Sequence, residues 1–379
     1  MIEITAVMAA ISSLHIGTGK KIGTFSKTLE YVPGRTIRGM VGYYLYNNNR
    51  ELFDKLRINE DKDMKKVGVF FKDAHPMYKD KFTVVPPVSF KWCKKCNHLM
   101  DYESTECQQV LDGNLCLHEG KKENGFVTKD SLKTGVLEKA SLNTQIETKC
   151  PIMRSGHASP DSGYDISPYN IESVSSGTNF GFRCIVKEDF ADELKSALCE
   201  AGIFSGLGGY RSRGYGLVIF EKFREKQVDE LIEERSNELS GKHDLLMVTN
   251  SPMILRDDNK SFIGFGTNPK KDCRQDCNPK DYISEDYFSV VRELSGCNGI
   301  LKIRDDNDTI AQRITGGIAR GWSIKHRNKV SEIIPCIGAG SCLKINGSGP
   351  EILAAMEVYG IGEMINSGYG DVYFTEGRL

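Results

Sequence analysis

The strongest constraint on the fold is a glycine pattern that occurs twice. Residues 206–216 read Gly-Leu-Gly-Gly-Tyr-Arg-Ser-Arg-Gly-Tyr-Gly, and residues 360–370 repeat the frame of Gly, apolar residue, Gly, five residues and Gly-Tyr-Gly. We call them the first and the second glycine loop. Glycine permits positive φ angles and lets another backbone approach closely. Because each loop follows a helix-like segment and precedes a strand-like one, the sequence predicts a structural repeat.

The order of predicted elements is the same on both sides of the chain. Residues 2–11 and 243–255 each read as an apolar strand that leads into a turn, and helices predicted at 192–202 and 350–359 lead into the glycine loops. This order predicts an α+β fold of two tandem ferredoxin-like (RRM-like) domains. A length of 379 residues also suits two domains. The predicted division is 1–225, a charged linker at 226–242, and 243–379.

A short polar segment, about residues 90–122, contains a group of cysteines. They open with a Cys-x-x-Cys knuckle and comprise Cys93, Cys96, Cys107 and Cys116. Soft sulfur ligands favour zinc, and four thiolates leave no open position, so a structural Zn²⁺ site is predicted. The segment has few apolar residues, so the metal would organise an inserted zinc knuckle. Cys107 and Cys116 are nine residues apart, and His98 or His118 could replace one of them.

Basic residues flank the turn before the first predicted helix. Lys20 and Lys21 leave a Gly- and Ser-rich turn, and Arg35 and Arg38 lie in the first turn of a helix that follows Pro33. The two arginines are three residues apart and share one side of that turn, where free N–H groups attract phosphate. These residues are therefore candidate RNA contacts, with a solvated helix face as the alternative.

The two glycine loops carry different variable residues. The first offers Tyr210, Arg211 and Arg213, which suit phosphates and stacked bases, whereas the second offers Glu363 and no basic residue. Both loops could be purely structural connectors. Neither contains the Gly-Lys-Ser/Thr of a phosphate-binding loop. If one of the loops contacts RNA, we expect it to be the first.

Composition limits where a nucleic-acid interface can lie. The formal net charge is −1, so the protein is not uniformly coated in positive charge and any RNA interface must be local. No run approaches the about 20 apolar residues that a membrane span needs. The chain begins directly with a strand-like segment and shows no signal peptide, so a cytoplasmic location is expected.

With these residues in hand, the chain resembles the RAMP superfamily of CRISPR-associated proteins. The resemblance is carried by both glycine loops, by residues 14–19 (Leu-His-Ile-Gly-Thr-Gly) and by residues 28–39 (Thr-Leu-Glu-Tyr-Val-Pro-Gly-Arg-Thr-Ile-Arg-Gly). Residues 321–323 (Gly-Trp-Ser) and 337–341 (Ile-Gly-Ala-Gly-Ser) look like the second domain of the two-RAMP, Cas-five-like subunit of type III-D or type VII effectors. The family is built of ferredoxin-like domains that end in such glycine loops.

The resemblance implies a non-catalytic subunit of an effector ribonucleoprotein. Such a subunit caps the complex at the 5′ handle of the guide RNA (crRNA), contacts Cas-seven-type backbone subunits, and meets target RNA only through the complex. Backbone subunits that cleave RNA carry a catalytic aspartate after the first strands, and residues 20–26 contain no acid. The alternatives are a backbone subunit, a zinc-containing adaptor that binds only protein, or a metal-independent endoribonuclease. In that enzyme, which would process precursor crRNA, His15 or His157 would act as the base.

Overall fold

The structure is a computed structural model. It describes residues 1–61, 63–100, 106–111, 114–150, 168–256, 285–299, 301, 310–311, 314–318, 333–345 and 348–376. His157 and residues 321–323 lie outside this part of the chain. The helices of the described residues are α1 (Gly34–Asn48), α2 (Arg50–Lys55), α3 (Lys129–Thr134), α4 (Ala191–Phe204), α5 (Val228–Leu239), α6 (Glu285–Ser295) and α7 (Pro350–Tyr359).

Strands and helices are mixed along the chain, which confirms the α+β class. The strands of the described residues are β1 (Ile2–Ala10), β2 (Gly17–Ile22), β3 (Phe25–Thr28), β4 (Val69–Phe71), β5 (His75–Pro76), β6 (Thr83–Val84), β7 (Lys91–Cys93), β8 (Leu99–Met100), β9 (Val110–Leu111), β10 (Asn114–Leu115), β11 (Gly120–Lys121), β12 (Val127–Thr128), β13 (Thr144–Lys149), β14 (Tyr169–Val174), β15 (Asn179–Val186), β16 (Val218–Gln227), β17 (Leu245–Thr249), β18 (Ile310–Ala311), β19 (Ile314–Ile318), β20 (Ile333–Ile337), β21 (Cys342–Ile345) and β22 (Val372–Glu376). Among these helices, none is long and apolar enough to cross a membrane.

The first half of the chain is built on an antiparallel sheet with the order β16-β1-β15-β4. Alternate residues of β1, among them Ile4 and Met8, are fully buried because period-2 alternation places them on one face of the sheet. They share one hydrophobic core with Ile37 and Val41 of α1 and with Leu198 of α4. A second sheet, β13-β14-β3-β2, lies beside the first glycine loop and contains the strand of Lys20 and Lys21.

The second half repeats this strand order. Its sheet runs β18-β21-β17-β22, so in both halves the last strand lies beside the first, and the third lies between the first and the second. Helix α5 falls in the stretch predicted as a charged linker. It buries Val228, Ile232 and Leu239 in the core that also contains the apolar residues of α7. Residues 228–239 are therefore packed against the second half on one face rather than solvated on all sides.

The two glycine loops make equivalent backbone contacts. Each holds the segment that follows the first strand of its half through two N–H···O=C pairs: Gly216 to Ser13 (3.0 Å) and Gly209 to His15 (2.8 Å) in the first half, and Gly370 to Pro252 (2.9 Å) and Glu363 to Ile254 (3.0 Å) in the second. A third pair closes each loop on itself, Leu207 to Gly216 (2.7 Å) and Ile361 to Gly370 (2.9 Å). The repeat that the glycine frame predicts is thus present in the backbone.

Steric contact explains why the third position of the frame is glycine in both loops. Gly208 has φ +76°, and a Cβ there would lie 2.3 Å from the carbonyl oxygen of His15. Gly362 has φ +103°, and a Cβ there would lie 2.6 Å from the carbonyl oxygen of Ile254. Both distances are below any real Cβ contact, so only glycine fits at either position.

The second glycine loop is buried between the two halves. The backbone N–H of Phe71 donates to the carbonyl oxygen of Asn366 (3.2 Å), and the Asn366 side chain donates to the carbonyl oxygen of Glu60 (2.6 Å). Ile365, Asn366 and Ser367 are each about 1% exposed. This loop therefore joins the second half of the chain to the first.

Candidate nucleic-acid interface and metal centre

The first glycine loop, in contrast, presents its variable residues to solvent. Arg211–Arg213 form a short 3-10 turn, and both arginine side chains are exposed. Tyr210 precedes the turn with φ 57°, in the left-handed region that few non-glycine residues adopt. Arg211 donates to the carbonyl oxygen of Ser205 (2.9 Å), and Arg213 donates to the hydroxyl of Tyr169. The loop thus holds two guanidinium groups at the surface in defined positions.

The described residues provide no counter-charge for the two guanidinium groups of this loop. Among the described residues, no carboxylate forms an ion pair with Arg211 or Arg213, and their hydrogen-bond partners are a carbonyl and a phenol. Other arginines of the same chain have carboxylate partners: Arg38 with Asp61 (2.6 Å), Arg50 with Asp54 (3.2 Å), Arg183 with Asp371 (3.0 Å) and Arg235 with Glu357 (2.8 Å). Two uncompensated exposed cations attract an anionic ligand.

His15 supports this loop from beneath. Its side chain is 4% exposed, and its ring lies 5.0 Å from the ring of Tyr210. Nδ1 is 2.7 Å from the carbonyl oxygen of Glu172, and Nε2 is 3.2 Å from the hydroxyl of Ser26. Both ring nitrogens therefore have protein partners, which favours a structural role for His15 over that of a base in catalysis.

Arg35 and Arg38 lie at the contact between the halves. Arg35 donates to the hydroxyl of Tyr369 (2.5 Å), and Arg38 donates to the hydroxyl of Ser367. The Arg38 side chain is 14% exposed. The sequence predicts a phosphate site at this helix start, and in the structure the second glycine loop fills much of that site. RNA contact by these arginines, and by Lys20 and Lys21, stays a prediction.

The first amide of α1 is also occupied by a protein group. The backbone N–H of Gly34 donates to Oδ1 of Asp73 (2.7 Å). Burial, above all, raises the pKa of Asp73 from its ordinary value of 3.8 to about 7, although the Gly34 amide and the Arg35 charge act in the opposite direction. A carboxylate thus caps this helix, and the folded protein holds its proton more tightly than the unfolded chain does.

Asp73 should make folding depend on pH. Between pH 4 and 7 the folded protein retains a proton that the unfolded chain releases, so the contribution of Asp73 to stability falls as the pH rises. Asp73→Asn keeps an oxygen for the Gly34 amide and removes this titration. The stability of the variant relative to wild type should increase by roughly 2–4 kcal/mol from pH 4 to pH 8. Urea unfolding across this range measures the difference, with Asp80→Asn, a 92% exposed carboxylate, as the control expected to show no trend. A flat difference for Asp73→Asn would contradict the raised pKa.

The four predicted cysteines form one compact cluster. The Sγ atoms of Cys93 and Cys116 are 3.6 Å apart, those of Cys96 and Cys107 are 3.5 Å apart, and all four lie within 4.8 Å of one another. Zinc at about 2.3 Å from each of four sulfurs requires S···S distances of about 3.8 Å. The sulfur positions therefore fit a tetrahedral metal ion.

The surroundings of the sulfurs also suit a metal. Cys93, Cys107 and Cys116 are buried, and Cys96 is half-buried. Burial raises the pKa of Cys107 and Cys116. Burial also raises the pKa of Cys93, but hydrogen bonds from the backbone N–H groups of Cys96 and Lys95 outweigh this effect and lower the pKa to about 7, which favours the thiolate of Cys93. Nδ1 of His118 is 3.5 Å from Sγ of Cys116, outside the group of four sulfurs. Among the described residues, the donor set is thus Cys93, Cys96, Cys107 and Cys116.

Sequence reasoning missed two aromatic residues beside the first glycine loop. Tyr43 of α1 is 52% exposed, and the Arg211 guanidinium lies 5.9 Å from its ring centroid. Tyr169 of β14 receives the hydrogen bond of Arg213. Helical periodicity carries a signal for Tyr43, because the buried Ile37 and Val41 define the opposite face of α1. Tyr169 lies in a strand distant in sequence and gives no such signal.

Comparison with known proteins gives one family match. A family model described as the RAMP superfamily matches residues 8–219. No curated protein matches the sequence.

Several solved structures are similar to the chain at low identity. A chain of the type III-B Cmr-beta complex bound to cognate target RNA and AMPPnP is 13% identical, with 92% of this chain and 87% of that chain covered and a TM-score of 0.45. A RAMP protein described as binding different RNA substrates is 12% identical, with 99% of this chain and 100% of that chain covered and a TM-score of 0.36. A chain of Cmr-beta bound to cognate target RNA is 15% identical with a TM-score of 0.35. That match covers 60% of this chain and 61% of the Cmr-beta chain.

Proposed function

We propose that this chain, which belongs to the RAMP superfamily, is a non-catalytic RNA-binding subunit of a CRISPR effector ribonucleoprotein in the cytoplasm. It binds the guide RNA through the first glycine loop and caps the complex at the 5′ handle, beside Cas-seven-type backbone subunits. The observation that carries the proposal is the pair of exposed guanidinium groups, Arg211 and Arg213, that no described carboxylate neutralises.

The contrast between the two loops supports this assignment. Both have the same backbone contacts, but the second is buried against the first half whereas the first faces solvent. The shared glycine frame is therefore structural, and only the variable residues of the first loop are free to meet a ligand. Arg211 and Arg213 would bind phosphates and supply most of the affinity, and Tyr210 would stack on a base.

The architecture supports two tandem ferredoxin-like domains, at 1–225 and 243–379. The strand order of last, first, third and second in both sheets is the order of that fold. The Cas-five-like assignment to type III-D or type VII complexes rests on this two-domain arrangement and on the residue motifs. The residue 226–242 segment would connect the domains through α5.

The cysteine cluster supports an inserted structural zinc site. Cys93, Cys96, Cys107 and Cys116 would hold Zn²⁺, which closes the fold of the segment around residues 90–122 without an open coordination position. This zinc knuckle would dock on a neighbouring subunit of the complex.

RNA binding by the loop is tested by removing its two charges. The Arg211→Ala, Arg213→Ala double variant should bind crRNA roughly 10- to 100-fold more weakly, because two charge-assisted phosphate contacts are lost. The slope of log affinity against log salt should fall by about 1.4, the change expected for two phosphates of a single strand. Fluorescence anisotropy with labelled crRNA at several salt concentrations measures both quantities.

The matched control is Lys222→Ala, Arg224→Ala, which removes the same net charge from exposed positions of β16. This control should bind as wild type. Equal affinity of the loop variant and wild type would refute contact through the loop. If wild type itself does not bind RNA, the adaptor that binds only protein becomes the better assignment.

A further inference from the structure

We propose that Tyr43 and Tyr169 extend the first glycine loop into a track for single-stranded RNA, on which bases stack beside the phosphate-binding arginines. The inference rests on the proposed function, and it adds two binding residues and the form of the ligand. It is carried by an alternation of aromatic rings and guanidinium groups on one surface.

The alternation is visible in the distances from guanidinium carbon to ring centroid. Arg211 lies 5.9 Å from Tyr43, and Arg213 lies 5.5 Å from Tyr210 and 5.9 Å from Tyr169. Each charged group of the loop therefore has a ring beside it. Successive nucleotides of a single strand present a phosphate and a base in turn, which is the pattern that this surface complements.

Tyr43 is placed by the packing of α1 rather than by the loop. The hydroxyl of the next residue, Tyr44, donates a hydrogen bond to the carboxylate of Glu200 in α4. This bond links the two helices near the end of α4. Arg211 reaches the same end through its bond to Ser205. In this position Tyr43 is 52% exposed. A large exposed ring beside an unpaired cation is a platform for a flat ligand.

Tyr169 is held in place by the second sheet, on the other side of the first glycine loop from Tyr43. It begins β14, opposite Lys149 of β13, and its hydroxyl accepts the Arg213 hydrogen bond. The ring is half-buried, so its position is defined before a ligand binds. Because stacking on rings that are already held costs little side-chain entropy, such platforms bind bases with any sequence.

The chemistry favours a single strand of RNA over a protein partner. A docking surface for protein usually has a centre of buried apolar side chains inside a polar rim. Here the two cations lack carboxylate partners among the described residues, and the rings beside them are all tyrosines. Stacked bases also need to be unpaired, since a duplex hides their faces.

The test compares Tyr43→Ala with Tyr46→Ala in the full chain. Tyr46 lies one turn further along α1 and is 40% exposed, but its neighbouring Arg50 is paired with Asp54. The probes are a labelled mixed-sequence RNA of about 12 nucleotides, within the range of single-strand sites, and the same backbone with abasic positions. Tyr43→Ala should bind the first probe about tenfold more weakly, with an unchanged salt slope, and the abasic probe as wild type does. Tyr169→Ala should behave as Tyr43→Ala does, and Tyr46→Ala should bind both probes as wild type does.

The outcomes separate this inference from the proposed function. If wild type binds RNA through Arg211 and Arg213 but Tyr43→Ala and Tyr169→Ala bind normally, the track is refuted and the proposed function stands; a protein-docking surface would give this result. An equal loss in Tyr43→Ala and Tyr46→Ala would assign the effect to the helix and also refute the track. Absence of RNA binding by wild type would refute both proposals. Circular dichroism of each variant establishes that it is folded.

Discussion

The double variant Cys96→Ser, Cys107→Ser should lose its metal and unfold the inserted segment while the two main sheets remain folded. Wild type purified under reducing conditions should contain about one zinc ion per chain, as four thiolates bind one ion. Metal analysis by mass spectrometry measures the content, and limited proteolysis locates the unfolding. We expect new cleavage between residues 90 and 122 in the variant, and the same cleavage in wild type after chelation.

The expected effect is large because the segment has little other core. Around the cysteines the buried cluster adds only Met100. Phe90 and Trp92, at the start of the segment, pack instead against residues outside it. Its strands, β7 to β11, have only two or three residues each, too few for a stable sheet on their own. In zinc-finger peptides, the metal contributes about 10–16 kcal/mol of apparent binding energy that is also folding energy. Loss of the metal should therefore unfold the segment rather than loosen it.

Two controls sharpen this test. Cys150→Ser changes an exposed cysteine outside the cluster and should retain zinc. His118→Ala should retain it as well, because four sulfurs already complete the tetrahedron. Zinc retained by the Cys96→Ser, Cys107→Ser variant, or lost from His118→Ala, would overturn the donor set.

The sequence predicted the repeat well because its signal is local. Glycine positions such as Gly208 and Gly362 are fixed by contacts within one loop and its own half. The spacing of glycines is therefore sufficient to recognise equivalent loops. The same holds for the cysteines, where ligand chemistry restricts the possible partners. Whether zinc occupies the site is a question for the metal analysis.

The contact between the halves could not be predicted in this way. Arg35 and Arg38 look like phosphate ligands when only the helix start is considered. Their partners, Tyr369 and Ser367, lie more than 300 residues further along the chain. No local pattern specifies such a pairing. It follows from how the second glycine loop packs against α1, which tertiary structure alone decides.

A second consequence of that packing is a buried cluster of charges around Asp371, the residue directly after the second glycine loop. Asp371 is 2% exposed and Lys72 is 1% exposed, and Nζ of Lys72 lies 3.1 Å from Oδ1. Arg183 donates to both carboxylate oxygens (3.0 and 3.1 Å), and the Asn250 amide donates to Oδ2 (2.7 Å). Although burial raises the pKa of Asp371, the charges of Lys72 and Arg183 hold it far below its ordinary value. The carboxylate is therefore ionised at neutral pH.

Asp371→Asn should destabilise the protein by about 3–5 kcal/mol, the usual result of removing one partner of a buried ion pair. The variant keeps the size of the side chain but leaves the Lys72 ammonium buried without a counter-charge. Burial lowers the pKa of Lys72, so this group is already costly to keep charged. Urea unfolding at pH 7 measures the loss. The control is Asp192→Asn, whose exposed pair with Lys195 should contribute less than about 1 kcal/mol.

A second substitution shows whether the loss of stability comes from the unpaired Lys72 ammonium or from the lost hydrogen bonds. Lys72→Met replaces the ammonium with an apolar group of similar length, so Lys72→Met combined with Asp371→Asn should be more stable than Asp371→Asn alone. Replacement of both members of a buried pair is often nearly neutral, whereas removal of one is not. Arg183 keeps a second carboxylate, Glu3, at 3.5 Å and is not left isolated. If the double variant is no more stable than Asp371→Asn, the hydrogen bonds to Asn250 and Arg183 account for the loss, and the ion pair with Lys72 does not hold the two halves together.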